Sequence, residues 1–332
     1  MPYTVTRYEM ILRALTPIAH HQETLGNQSI FARKKVRLPG GTIAQLPYLS
    51  GDCLRHQLRE AGVYATLEAA GMLDDPQLSL GALRLLFAGG MVGQKGDRSV
   101  INLDTYRALT TLFPPLALFG GCTDAKVLSG QLNVEEGNVI CIETLELQPD
   151  WVRAWLTDHR ERVDSFRASM EEVQRVRMDP EEVPEKRKLL SESAQIVVND
   201  RLLARERAHE DADSKAAGEN KSAMLPRTLE RLIEGTLFSW SVEARTYTDL
   251  EFDAFNYIVG AMLNNCNVGG KRGTGHGRLK FLAGSRIHFR PTSGDIESME
   301  SSLAPKTGDL YRQHIKARAT ELKQWLQGEV AS

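Results

Sequence analysis

Apolar and polar positions alternate with a two-residue period in three parts of the chain, residues 3–15, 235–244 and 279–289. This period predicts β-strands that are buried on one face. A fourth stretch, 133–147, is apolar on both sides of its second half, which is typical of a strand covered on two faces, and Gly137-Asn138 is its expected turn. We therefore expect four strands, separated by segments of other kinds.

Apolar residues at helical spacing predict two helices between these strands. The first begins at Ser50 and continues to about Ala61. The second covers residues 248–266, where Thr248 is the expected N-cap and Glu251 completes a capping box. The order is therefore strand, helix, strand, strand, helix, strand.

That order is the split βαβ arrangement of an α+β, ferredoxin-like (RRM-like) βαββαβ palm. No segment repeats at a fixed period, and we expect one domain over 1–332, because the insertions all interrupt one small sheet. Three insertions interrupt the palm: a basic excursion at 17–45, a helical and loop segment at 62–132, and a charged helical segment at 148–234. A C-terminal helix is expected at 303–328.

Composition excludes several classes of protein. The 332 residues include 41 Lys and Arg against 43 Asp and Glu, so any site for a polyanion has to be local. The four cysteines are far apart and predict neither a zinc site nor a disulfide framework, which favours a reducing cytoplasm. No stretch approaches 18 apolar residues, so we expect no membrane partner.

The stretch 269–280 carries the strongest chemical signal, reading Gly-Gly-Lys-Arg-Gly-Thr-Gly-His-Gly-Arg-Leu-Lys with no acid. Glycine lets a ligand approach the main chain, and the cations favour an anionic backbone. Dinucleotide and P-loop sites are excluded, because their glycine loops follow a strand and precede a helix. The alternative is a flexible connection with solvated cations. The candidate ligands here are Gly269, Gly270, Lys271, Arg272, Gly273, Thr274, Gly275, His276 and Arg278.

Two further segments could add to a site for an anionic backbone. The helix start has free N–H groups that suit a phosphate, although a capped helix with solvated arginines is equally consistent. The basic excursion could lie along RNA, or it could be a plain basic surface loop. The candidates at the helix start are Ser50, Gly51, Arg55 and Arg59, and those in the excursion are His21, Arg33, Lys34, Lys35 and Arg37.

Two of these segments, 46–59 and 268–279, resemble motifs of the RAMP superfamily, and Leu118-Phe-Gly-Gly-Cys122 resembles a third more weakly. The chain is most similar to the backbone (Cas-seven-type) subunit of a type IV CRISPR effector complex. The resemblance implies a palm with fingers and a thumb, the thumb being the excursion at 17–45. It also implies a homo-oligomeric filament along a single-stranded guide RNA (crRNA). The guide bases would be left to pair with target DNA or RNA, beside other CRISPR effector subunits and without a cofactor.

Catalysis is not expected. Type III relatives cut target RNA with an aspartate in the excursion, whereas residues 16–46 contain no Asp, and Glu23 is their only acid. A metal site at His20 and His21 is disfavoured, because adjacent side chains on an extended chain point to opposite faces. Three alternatives stay open: an endoribonuclease using His276 or His21, a type III subunit using Glu23 with a metal, and an unrelated phosphate-binding protein.

Overall fold

A computed structural model describes residues 3–25, 27–74, 77–89, 103–123, 126–177, 188–200, 203, 225–289, 296–299 and 308–328. The chain divides into two compact units. The first consists of Met1–His21, Ala32–Glu171 and Arg231–Ser332, and the second of Gln22–Phe31 and Glu172–Glu230.

The described strands, numbered in chain order, are β1 Thr4–Ala14, β2 His21–Leu25, β3 Gln28–Phe31, β4 Arg33–Arg37, β5 Ile43–Leu49, β6 Gly121–Thr123, β7 Lys126–Leu128, β8 Leu132–Val134, β9 Gly137–Val139, β10 Met170–Arg177, β11 Leu225–Leu232, β12 Leu237–Thr246, β13 Leu279–Phe289 and β14 Ile296–Met299. The described helices are α1 Gly51–Ala69, α2 Leu80–Ala88, α3 Leu103–Leu112, α4 Pro115–Phe119, α5 Asp150–Asp158, α6 192–200, α7 Asp249–Asn264, α8 Asp309–Ala317 and α9 Ala319–Gln327. Among them, no helix is both long enough and apolar enough to cross a bilayer.

The fold is mixed α+β, and its main sheet has the strand order β14-β13-β1-β12-β9-β5-β4, with β8 also pairing with β12. Strand β1 is antiparallel to both of its neighbours, β12 and β13. A smaller sheet has the order β10-β11-β3-β2, and β6 and β7 form a hairpin.

The core of the first unit lies where β1 and β12 meet the helices. Leu12 is opposite Phe238 in the strand register, and both side chains are fully buried. Helix α7 packs against α1 and β12, and Phe255 of α7 contacts the ring of Tyr8. The Tyr8 hydroxyl donates a hydrogen bond to the buried Asn256 side chain. The apolar face of α7 and the inward face of β1 therefore share one core.

The strands expected at 3–15, 235–244 and 279–289 are confirmed as β1, β12 and β13, and the helix expected at 248–266 is confirmed as α7. Thr248 is its N-cap as expected, but one bond of the expected capping box differs. The Thr248 hydroxyl accepts from the Glu251 N–H at 3.1 Å, but the Glu251 carboxylate accepts from Tyr247 rather than from Thr248. Helix α1 ends at Ala69, beyond the expected Ala61, because buried apolar residues continue its inner face.

The prediction for 133–147 is wrong in part. Gly137-Asn138 lies inside β9 rather than in a turn, and Ile142–Leu147 is a 3-10 helix. The helix begins because the Thr144 N–H donates to the Cys141 carbonyl at 3.0 Å, and the Thr144 hydroxyl accepts from the Cys141 N–H. A closed turn therefore replaces the expected extended chain.

The segment expected to be helical at 148–234 is helical only in part, because α5 ends at Asp158 and is followed by β10. Tertiary contacts hold the intervening segment: the Glu143 carboxylate accepts hydrogen bonds from Ser165 and from the Phe166 N–H. At the C-terminus, two helices, α8 and α9, replace the single expected helix and meet at Arg318. The start of that expected helix, 303–307, lies outside the described residues.

Replacing Phe238 with alanine tests the shared core. Phe238→Ala removes a fully buried ring from β12, so we expect a loss of about 3–5 kcal/mol in the free energy of unfolding. Urea unfolding measures it. The control Val127→Ala, at a side chain that is 72% exposed, should change stability by less than about 0.5 kcal/mol. Equal effects of the two variants would contradict the assignment of this core.

Candidate nucleic-acid interface

The glycine loop is fixed to the segment that follows β1. The Gly270 N–H donates to the Ala19 carbonyl at 2.7 Å, and the Gly277 N–H donates to the Pro17 carbonyl at 2.9 Å. A third bond, from the Val268 N–H to the Gly277 carbonyl at 2.8 Å, closes the base of the loop. The loop is therefore a hydrogen-bonded frame between α7 and β13.

Two glycines are required by this frame itself. Gly277 has a φ of 95°, and a Cβ there would lie 2.1 Å from the Val268 carbonyl oxygen. Gly269 has a φ of 72°, and a Cβ there would lie 2.4 Å from the Ala19 carbonyl oxygen. These two glycines let the chain approach itself. Our expectation that they bring a ligand close therefore does not hold for them.

The tip of the loop, residues 270–275, is exposed. It is a short 3-10 turn at Arg272–Thr274, preceded by Lys271 in the left-handed conformation with a φ of 60°. The Thr274 hydroxyl donates to the Lys271 carbonyl at 2.9 Å. A Cβ added at Gly273 would meet no atom within 4 Å. The main chain is therefore open to a ligand at the tip.

The cations of the loop differ in their surroundings. In the described part of the chain, the exposed Lys271 and Arg278 side chains form no ion pair. Arg272 is bonded: its Nη1 lies 3.2 Å from the Glu60 Oε2, and its Nη2 donates to the Asn267 carbonyl at 3.3 Å. Lys271 and Arg278 are therefore the cations available to an anion.

His276 supports the loop from inside. Its side chain is 4% exposed, and its Nδ1 lies 3.1 Å from the Thr274 carbonyl oxygen. Arg231 Nη1 lies 3.4 Å from His276 Nε2, and Arg231 also pairs with Glu171. His276 is a candidate ligand in the sequence, but its ring is enclosed by the protein.

The structure brings the start of α1 to the same place. The Gly269 N–H donates to the Cys53 Sγ at 3.4 Å, and the Ser50 N–H donates to the His20 Nε2 at 3.2 Å. The Ser50 hydroxyl caps the helix by accepting from the Cys53 N–H at 3.2 Å. The glycine loop, the segment at 16–20 and the start of α1 are thus bonded together.

The helix start is nevertheless a poor anion site. The Ser50 hydroxyl and N–H are engaged within the protein, and the exposed Asp52 adds negative charge to the first turn. Gly51 has a packing role, because a Cβ there would lie 2.7 Å from the Val134 carbonyl oxygen.

Arg55 and Arg59 also bind the protein itself. Both guanidinium groups donate to the Phe119 carbonyl, at 2.7 and 3.2 Å, and lie over the Phe119 ring. Arg55 also donates to Leu132, and Arg59 to Leu85. Burial lowers the pKa of Arg55 and lowers that of Arg59 to about 10. Both residues cross-link α1 to the 62–132 insertion, so we remove them from the candidate ligands.

The basic excursion is divided between the two units. Strand β4, Arg33–Arg37, belongs to the first unit and pairs with β5 at the end of the main sheet. Lys35 and Arg37 are exposed, whereas Lys34 is bonded to Glu136 and lies 5.5 Å from the centre of the Tyr48 ring. Arg33 and His21 are partly buried.

Sequence reasoning missed the supporting residues His20 and Cys53. The sequence placed His20 only in a weak metal motif; within the described residues, no three His, Cys, Asp or Glu side chains converge on a metal site. Burial lowers the pKa of His20, with a smaller effect from the charge of His21. A neutral imidazole is the form that accepts the Ser50 N–H.

Comparison with known proteins finds a match among solved structures. No family model matches the chain, and no curated protein matches it. A chain of a solved structure described as "Type IV-B CRISPR Complex" is 18% identical, with a TM-score of 0.53. The alignment covers 92% of this chain and 98% of that chain. The two chains therefore share a fold over nearly their whole lengths.

Two glycine variants test the frame. Gly277→Ala places a Cβ against a carbonyl at positive φ, so we expect the free energy of unfolding to fall by about 1–3 kcal/mol. Gly273→Ala, in open space on the same loop, should change it by less than about 0.5 kcal/mol. Urea unfolding of both measures the difference. A harmless Gly277→Ala would contradict the close contact with Val268.

A glutamine variant tests the state of His20. The unfolded chain binds a proton at His20 at about pH 6.5, whereas the folded chain binds it only at a lower pH. The stabilising contribution of neutral His20 is therefore complete above about pH 6.5. It is lost as the pH falls from there through the lower pKa of the folded chain. His20→Gln keeps an acceptor for Ser50 but cannot titrate, so its stability should fall less between about pH 7 and 5.

Urea unfolding across this pH range measures the effect, with His56→Gln as a control for losing an exposed histidine. If His20→Gln and the natural chain lose the same stability on acidification, His20 does not accept the Ser50 N–H as a neutral base.

Proposed function

We propose that this protein is a guide-RNA-binding backbone subunit of a type IV CRISPR ribonucleoprotein. The shared fold with a chain of a Type IV-B CRISPR complex, over 92% of the sequence, supports the proposal. The motif resemblance in 46–59 and 268–279 supports it independently, because it rests on residues rather than on overall shape.

The exposed tip of the glycine loop is the observation that carries the proposal. Its frame is bonded to residues 17–19 by main-chain hydrogen bonds, and Lys271 and Arg278 are exposed on it. A fixed loop with cations and an open main chain suits the phosphates of a single strand. Each phosphate that it neutralises should make the slope of log affinity against log salt more negative by roughly 0.7.

We propose a ferredoxin-like palm as the support for this loop. The strand order β13-β1-β12-β9, with α1 after β1 and α7 after β12, is the order of a split βαβ fold. The excursion at 17–45 is the proposed thumb, and Lys35 and Arg37 are its exposed cations.

The proposed subunit is not an enzyme. Copies line the guide RNA as an oligomer beside other CRISPR subunits, and the guide bases pair with target DNA or RNA. The burial of His276 argues against its use as an acid or base on RNA.

Removing the two exposed cations tests the loop. The variant Lys271→Ala/Arg278→Ala should bind an unstructured RNA oligonucleotide about tenfold more weakly, because about two phosphate contacts are lost. The slope of its log affinity against log salt should become less steep by about 1.4. Fluorescence anisotropy over a salt series measures both quantities.

The control variant Lys316→Ala/Lys323→Ala removes the same charge from exposed positions on α8 and α9. It should retain the affinity and the salt slope of the natural chain. Equal affinities of the two double variants would contradict the role of the loop. Failure of the natural chain to bind RNA at all would contradict the proposed function.

A further inference from the structure

A cleft of about 620 Å³ opens between one face of α1 and one face of α7, at the side of the glycine loop. This volume is within the usual range for small-ligand sites. Arg272 lines the cleft and joins it to the loop through its bonds to Glu60 and to the Asn267 carbonyl. The cleft therefore begins at Arg272, which is next to Lys271 in the glycine loop.

Gln57 is the unusual residue of this cleft. Its side chain is only 7% exposed and lines the cleft, and its amide has no hydrogen-bond partner among the described residues. A side-chain amide offers two donors and one acceptor group. The amide lines the cleft and is accessible from it, so a ligand that pairs with it forms hydrogen bonds that the protein itself does not supply. Gln57 thus indicates a ligand with both donors and acceptors.

The remaining lining indicates a planar and uncharged ligand. Tyr64 is 49% exposed, and its contact with the Phe87 ring is edge-on, at 5.6 Å between ring centres. Glu60 and Glu68 balance Arg272 and Arg312, so the cleft favours neither an anion nor a cation. An exposed aromatic ring for stacking and a side-chain amide for bonding a base edge are the features with which proteins hold an unstacked nucleobase, and the balanced charge suits its neutral ring.

We infer that the α1–α7 cleft binds one nucleobase of the RNA strand that the glycine loop holds. The inference rests on the proposed function. In the inferred complex, the base stacks on Tyr64 and bonds to the Gln57 amide, while the phosphates of the same strand lie at Lys271. Arg272 then stands between the base and phosphate subsites, held by Glu60.

Natural and abasic RNA of equal length separate this cleft from the phosphate grip. The natural chain should bind RNA with bases about tenfold more tightly than abasic RNA, because base stacking and one amide pair are lost together. The variant Gln57→Leu/Tyr64→Ala should bind both RNAs equally, at the abasic level. The control Tyr247→Ala, at a ring that is 48% exposed outside the cleft, should keep the preference. Fluorescence anisotropy measures each affinity, and urea unfolding shows that the variants fold.

The outcomes distinguish the two proposals. An unchanged preference for bases in a folded Gln57→Leu/Tyr64→Ala variant would overturn the base subsite and leave the RNA-binding function standing. Absence of binding to either RNA by the natural chain would overturn the function itself. Adenosine and uridine monophosphates serve as competitors. Their tight binding, together with equal affinity for the two RNAs, would overturn the assignment of the cleft to a base of the strand.

Discussion

The close contact between Gly277 and the Val268 carbonyl is the constraint on which the candidate interface depends. It brings the two ends of the loop together, and the Gly277 N–H then reaches Pro17. Because Gly270 is bonded to Ala19 in the same way, the chain after β1 and the chain before β13 are joined twice. The sheet that pairs β1 with β13 continues into the loop, so the position of the loop follows from the register of these strands.

The arginines and lysines near this loop fall into two groups with different physical roles. Arg55 and Arg59 bind main-chain carbonyls at the end of α4, where the partial negative charge of a helix terminus favours a cation. Lys271 and Arg278 lie exposed. The first group holds the 62–132 insertion on α1. The second group faces solvent, so the net charge of the chain does not show which cations are accessible.

Much of the fold could be predicted from local patterns, whereas the roles of several site residues could not. Helix α7 and strand β13 are confirmed, because their apolar periods and the Thr248 cap are local properties of the sequence. The partner of Arg55 is Phe119, 64 positions away, and that of Arg272 is Glu60, 212 positions away. No local pattern distinguishes a cation that meets such a partner from one that meets solvent. The burial of His276 depends in the same way on distant residues such as Arg231.

The bonds that fix the glycine loop also affect the thermodynamics of binding. Ordering the backbone of a flexible residue costs about 1–2 kcal/mol, and a loop that orders only on contact with its ligand loses this from the binding free energy. Here the hydrogen bonds to Pro17 and Ala19 order the loop when the chain folds. The loop is thus preorganised, and in the proposed oligomer a polyanion held weakly by each copy would still be held tightly along its length.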